Sequence, residues 1–161
     1  MTERLADIAA KLVAGNKGLL AADESSATIK KRFDVIGLES TAETRRDYRE
    51  MLFRAEGMRD YISGVILFDE TIRQTARDGT PLVEIIKAAG AIPGIKVDAG
   101  AKPLAGFPRE KVTEGLDGLR ERLAEYHTLG ARFAKWRAVI EVGPKKPSYG
   151  ALLANCHALA R

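Results

Sequence analysis

The sequence predicts an α/β fold built on a parallel sheet. Three observations point there: short continuous apolar runs that end at polar turns, helical periodicity between those runs, and their order, one helix first and then strand followed by helix four times. Strands joined by helical crossovers are covered on both faces, so they read as apolar runs rather than as alternating patterns. The chain has 161 residues, 45% of them hydrophobic and 30% charged, which is enough for a core without disulfide staples.

Each element has its own signal. Residues 2–14 carry Leu5, Ile8, Ala9, Leu12 and Val13 at helical spacing, and Gly15-Asn16-Lys17-Gly18 ends that helix. Gly18–Ala22 is the first strand, an apolar run suited to burial on both faces, and it stops at Asp23-Glu24-Ser25-Ser26. A polar segment follows, with Lys30, Lys31, Arg32 and Phe33. Residues 41–56 form a helix with Tyr48, Met51, Leu52 and Ala55 as its apolar stripe. The second strand is Ser63–Phe68, followed by Asp69-Glu70-Thr71. Residues 81–89 are a short helix with Pro81 near its first turn. The third strand is Ile92–Asp98, and a Gly- and Pro-containing loop runs on through Pro108. Residues 110–129 read as the clearest helix, with Val112, Leu116, Leu119, Leu123 and Tyr126, broken by Gly130. The fourth strand is Ala131–Ile140, and Ser148 is placed to cap the last helix, which carries Leu152, Leu153, Cys156 and Leu159.

Two parallel architectures compete. A doubly wound nucleotide binder carries a glycine-rich turn after its first strand, whereas here that turn is Asp-Glu-Ser-Ser. Successive strands start roughly 46, 28 and 40 residues apart, so eight such units need about 300 residues, within the range of (β/α)8 barrels. The better reading is the first four βα units of a (β/α)8 TIM barrel, a half barrel preceded by an N-terminal helix. Residues 1–161 then form a single incomplete domain, with no interior linker, low-complexity segment or repeat.

Composition excludes several classes. One cysteine, Cys156, allows no disulfide framework and fits a reducing, cytoplasmic location. The start, Met1-Thr-Glu-Arg, lacks the apolar run of a signal peptide, and no stretch is long and apolar enough to span a membrane. The net charge of +4 is spread over 26 basic and 22 acidic residues, so there is no basic stripe for nucleic acid and no nucleic-acid partner is expected.

Charges inside apolar strands need an explanation, because burying an unpaired charge is costly. Asp23 closes the first strand, Lys96 lies in Ile-Pro-Gly-Ile-Lys-Val-Asp, and Lys135 and Arg137 share one face of the fourth strand by alternation. Strand ends at the C-terminal face of a barrel carry function, so one carboxylate among three cations reads as a pocket for a phosphorylated substrate. A structural alternative stays open: Asp23 and Lys135 as an ion pair filling the barrel mouth, and Lys96 as a snorkelling lysine.

The same segments carry a family resemblance. Leu20-Ala-Ala-Asp-Glu-Ser25, Gly64-Val-Ile-Leu-Phe68 with Glu70-Thr71, Gly94-Ile-Lys-Val-Asp98, Gly115-Leu-Asp-Gly-Leu119 and Phe133-Ala-Lys-Trp-Arg137 resemble class I fructose-1,6-bisphosphate aldolase of the bacterial type, in the family's order and spacing. Asn155 and Ala158-Leu-Ala-Arg161 also fit, so the resemblance covers essentially the whole chain. It implies a TIM barrel and a glycolytic lyase that cleaves fructose 1,6-bisphosphate reversibly to dihydroxyacetone phosphate and glyceraldehyde 3-phosphate. The reaction runs through a lysine imine (Schiff base) and uses neither metal nor cofactor.

By the same resemblance, Asp23 orients the reacting hydroxyl, Lys135 stabilises charge beside the imine and Arg137 supports it. Lys96 lies near the sugar phosphate. Ser25, Thr28, Lys31 and Arg32 hold a substrate phosphate, and Arg45 matches a further substrate-binding arginine; without the resemblance Arg45 reads as part of a solvated helix face. The chain departs from the family at Ala27, commonly Gly, at Asp69, where many members have His or Glu, and at Ala99, a Lys in animal enzymes.

The family's imine lysine, main acid/base glutamate and second phosphate site fall beyond Arg161 in this reading. The chain is then the N-terminal half of an aldolase, a fragment inactive by itself. Its open strand edges favour self-association, and the parent enzyme is expected to be a homo-oligomer. Two alternatives remain: a non-catalytic half-barrel module that binds sugar phosphates, and another sugar-phosphate TIM-barrel enzyme.

Overall fold

A computed structural model of the protein describes residues 3–161; Met1 and Thr2, the latter the first residue of the predicted N-terminal helix, lie outside them. The elements run α1 (Leu5–Leu12), β1 (Gly18–Ala22), α2 (Ser26–Val35), α3 (Ala42–Phe53), α4 (Met58–Tyr61), β2 (Ile62–Leu67), α5 (Asp69–Ile72), α6 (Leu82–Ala88), β3 (Ile92–Lys96), β4 (Gly100–Pro103), β5 (Lys111–Glu114), α7 (Leu119–Thr128), β6 (Phe133–Lys135) and α8 (Tyr149–Ala160). They pack as two compact units, one reaching Lys96 and taking in Ala124–Ala134, the other made of Val97–Leu123 and Lys135–Arg161.

The first unit is organised by its sheet. Strand order is β1-β2-β3-β6, and β1–β2 and β2–β3 are parallel. The sequence explains the central place of β2: Ser63 through Leu67 are all buried, and a strand bonded on both edges leaves no backbone group to water. Helices supply the cover, with Ile29 and Phe33 of α2, Phe53 of α3, and Leu82 and Ile86 of α6 all buried. Their starts are set locally. At α3 the Thr41 hydroxyl accepts from the Thr44 amide (3.1 Å), and the Thr44 hydroxyl accepts from the Thr41 amide (2.9 Å), a reciprocal cap of the kind that contributes about 1 kcal/mol.

The second unit pairs β4 antiparallel with β5 and packs α8 against that hairpin. Buried Asn155 of α8 ties the two, donating to the carbonyl of Lys111 (2.9 Å) and accepting from the amide of Thr113 (3.3 Å). Ser148 caps α8 through the Ala151 amide (3.2 Å), as its sequence position predicts.

Several expectations need correction. The polar segment after β1 is helix α2; only Ile29 and Phe33 face inward, too narrow a stripe to register as periodicity. The stripe on α3 is rotated: Met51 is exposed while Arg49 and Phe53 are buried. Residues 110–129 are not one helix. Val112 belongs to β5, and Gly115 (φ +127°) turns the chain where an added Cβ would meet the Ala99 nitrogen at 2.8 Å, so helix begins only at Leu119. The loop through Pro108 contains β4. The fourth strand ends at Lys135 rather than Ile140, because beyond it the Arg137 carbonyl is taken by the Thr113 hydroxyl (2.7 Å) instead of a neighbouring strand. Finally, β1 is not buried on both faces: it borders the sheet, paired to β2 alone, and Leu19 is 48% exposed.

Gly94 is a required close approach. A Cβ there would clash with the Phe133 ring within the sheet core. Gly94→Ala should lower stability by about 1–3 kcal/mol through overpacking, whereas Gly18→Ala, which meets nothing within 4 Å, should stay within about 0.5 kcal/mol. Urea midpoints of the two variants check this.

Candidate functional site

The sheet register decides what gathers at one end. Ala22 of β1 pairs with Leu67 of β2, and Leu67 with Ile95 of β3. Asp23, just past β1, and Lys96, the last residue of β3, therefore stand at the same level of the sheet, about 10 Å apart at two inter-strand spacings. Both are half-buried. Parallel pairing makes this the C-terminal end of both strands, where α/β proteins place chemistry.

The loop after β1 leads into α2. Ser25 stands at the N-cap of α2 but its hydroxyl caps nothing; it lies 3.1 Å from the Thr28 hydroxyl, on the same turn. Lys31 and Arg32 follow on the exposed face of α2. Arg32 donates to the Glu24 carboxylate (2.5 Å) and the Tyr48 hydroxyl (3.2 Å), and Tyr48 packs edge-on against Phe33 with ring centres 5.7 Å apart. The hydroxyls of Ser25 and Thr28 stand at the helix N-terminus, a position that favours an anion, while Lys31 and Arg32 lie further along, Arg32 in the last turn.

Arg45 is held differently. Its Nε and Nη2 grip the Glu70 carboxylate at 2.8 and 2.5 Å, and Nη1 donates to the Ser40 carbonyl at 2.9 Å. This bidentate pair joins α3 to the start of α5 and is largely shielded, with 14% of the arginine and 26% of the glutamate side chain exposed. The hydrogen bonds from Arg45 hold the Glu70 carboxyl below the ordinary glutamate range and raise Arg45. In the second unit, Lys135 is half-buried at the end of β6 and Arg137 is exposed two residues further, outside the strand.

Among the described residues, no group of three or more His, Cys, Asp or Glu side chains is placed to hold a metal ion, and no helix is long and apolar enough to cross a membrane.

The family model for fructose-bisphosphate aldolase class-I matches residues 4–161. The chain belongs to the class I fructose-bisphosphate aldolase family. It is 61% identical over 159 residues to a probable fructose-bisphosphate aldolase class 1 of Xanthomonas axonopodis pv. citri, covering 99% of this chain and 48% of that protein. It is 51% identical over 163 residues to fructose-bisphosphate aldolase 1 of Toxoplasma gondii, covering 100% and 45%. Among solved structures it is similar to fructose-bisphosphate aldolase from Plasmodium falciparum, crystallised with TRAP and a small-molecule inhibitor. The TM-score is 0.94 with 49% identity, covering 97% of this chain and 46% of that one. The chain thus spans about half the length of these relatives.

Within this aldolase-family chain, one residue of the sheet end, Arg49, escaped the reading of the sequence. Arg49 is fully buried and donates to the carbonyls of Ala22 (3.2 Å) and Glu24 (2.7 Å), and the Glu24 carboxylate bridges back towards it. An arginine on a helix reads as solvent-facing; only its spacing, four residues from Arg45 and four from Phe53, marks the inward side. Asp69, a departure from the family pattern, accepts from the Tyr126 hydroxyl (2.9 Å) and from Arg73 Nη2 (2.9 Å).

The depressed Glu70 carboxyl gives a pH signature. A carboxyl with a lowered folded pKa stabilises above its unfolded value and loses that contribution as pH falls through the ordinary carboxylate range to the folded value. Glu70→Gln should cost about 1–2 kcal/mol at neutral pH and progressively less towards pH 3. Thermal melts of both proteins across that range check it.

Proposed function

We propose that these residues are the N-terminal part of an aldolase barrel that cleaves fructose 1,6-bisphosphate reversibly, in glycolysis, to dihydroxyacetone phosphate and glyceraldehyde 3-phosphate. The observation that carries the reading is the family match over residues 4–161, together with the charged residues that follow or close its strands. The sequential strand order, without the reversal of a doubly wound sheet, supports a half barrel.

In this mechanism a lysine outside these 161 residues forms the imine with the ketose carbonyl. The bond between C3 and C4 breaks as the C4 hydroxyl loses its proton, and the electron pair moves into the imine, which serves as sink. Asp23 orients that hydroxyl. Lys135 stabilises negative charge as it develops beside the imine, with Arg137 in support. Ser25 and Thr28 at the start of α2, with Lys31 and Arg32 further along it, hold one phosphate, Lys96 lies near the sugar phosphate, and Arg45 binds substrate once released from or shared with Glu70. The reaction needs no metal, and its place is the cytoplasm.

A polypeptide of these residues alone is proposed to be inactive and to self-associate; Val13, Val35 and Ile36 are among its exposed apolar side chains, and β1 borders the sheet. The test compares this polypeptide with a joined chain in which the same residues are followed by the remainder of the Xanthomonas axonopodis relative. Coupled assays should give turnover only for the joined chain, and Lys135→Met should lower its kcat by about 100-fold or more. Turnover by the short polypeptide would overturn the fragment reading. Binding of the bisphosphate by a folded joined chain without turnover would favour a non-catalytic sugar-phosphate module. Light scattering should find the short polypeptide larger than a monomer; a stable monomer contradicts self-association.

A further inference from the structure

Asp23 sits in a loop, yet its backbone is gripped from beneath. Arg49 of α3 has no exposed surface and spends its guanidinium on the two carbonyls that flank Asp23. Its Nε donates to Ala22 at 3.2 Å, and its Nη2 to Glu24 at 2.7 Å. The planar fork spans both acceptors at once, which the ammonium of a lysine does not reproduce. The same residue meets the Glu24 carboxylate, whose Oε2 lies 3.6 Å from Nη2, while Oε1 of that carboxylate takes Arg32 Nη1 at 2.5 Å. Tyr48, the neighbour of Arg49 on α3, accepts a second bond from Arg32. A single buried cation is thus linked to the backbone that carries Asp23 and, through Glu24, to Arg32.

Packing alone does not account for a charge at this position. Burial pulls the proton affinity of Arg49 down, with the Glu24 and Glu70 charges acting against that, and among the described residues its Nη1 has no hydrogen-bond partner. A leucine or methionine would fill the space without the desolvation cost. What the guanidinium adds is directional: two fixed carbonyls on either side of one aspartate.

We propose that Arg49 is a positioning residue for the aldol reaction, setting the stance of Asp23 directly and of Arg32 through Glu24. The proposal rests on the aldolase reading above. It acts through the backbone and touches no substrate, so its loss should appear in kcat more than in KM.

The test uses the joined chain with Arg49→Lys and Arg49→Met. Displacing a reacting group by about 1 Å can cost 100-fold in rate, so kcat with fructose 1,6-bisphosphate should fall about 10- to 100-fold in both variants while KM changes less than about fivefold. Lys should recover no more than a small part of the Met loss. A kcat within about twofold of the parent, or a fall matched by the unfolded fraction at the assay temperature, overturns positioning. Amide hydrogen exchange on the same proteins supplies a readout independent of turnover. Exchange at Asp23–Ser25 should rise about tenfold or more in Arg49→Met while β2 stays protected, and unchanged exchange there overturns the proposal. A joined parent chain that folds but does not turn over defeats the aldolase reading itself, and the exchange measurement still decides whether Arg49 holds the loop.

Discussion

The structure of the first unit depends on β2 being bonded along both edges while buried on both faces. Parallel pairing to β1 on one side and β3 on the other satisfies its backbone and keeps its amides paired away from water. Three consequences follow from that one constraint. The chain must return over the sheet between strands, which is what α2, α3 and α6 accomplish. The helices must present apolar residues to the sheet, as Ile29, Phe53 and Leu82 do. The strand ends, with Asp23 after one and Lys96 closing another, must lie at one edge of the sheet.

Charge in this unit is managed by pairing rather than by exposure. Arg45 and Glu70 satisfy each other bidentately, Arg73 joins Asp69 and Glu125, and Arg49 is compensated by two carbonyls and a nearby carboxylate. Each of these arginines links elements distant in sequence, such as α3 to the loop after β1 and α5 to α7. Isolated exposed pairs of this kind contribute little, and the shielded Arg45–Glu70 and Arg49–Glu24 contacts are the ones whose loss the fold should feel. Of the two, Arg49 stands directly behind the loop that bears Asp23.

The core of β2 and the start of β3 were legible in the sequence because burial of paired strands leaves a plain apolar signature, and β1 was legible as an apolar run although it is not buried on both faces. The hairpin β4–β5 was not, since Val112, Leu116 and Leu119 happen to fall at helical spacing while Gly115 requires a conformation that interrupts a helix. The fourth strand was overread because Trp136–Ile140 is apolar for reasons other than strand pairing. Asp23, Lys96 and Lys135 stood out as charges within apolar runs, and the family motifs surrounding them were recognisable. Arg49 was invisible for the opposite reason: its charge places it on the wet side of any helical wheel, and its burial depends on carbonyls contributed from more than 20 residues away.

The chain belongs to the class I fructose-bisphosphate aldolase family, and the proposed function puts the imine-forming lysine outside its residues. The most direct test is borohydride trapping of the joined chain with dihydroxyacetone phosphate, followed by peptide mass mapping. The reading predicts one stoichiometric adduct on a lysine outside residues 1–161, with Lys96 and Lys135 unlabelled. A stoichiometric adduct on Lys96 or Lys135 would contradict it, placing the imine within this chain and making the strand-end lysines nucleophiles rather than supporting charges.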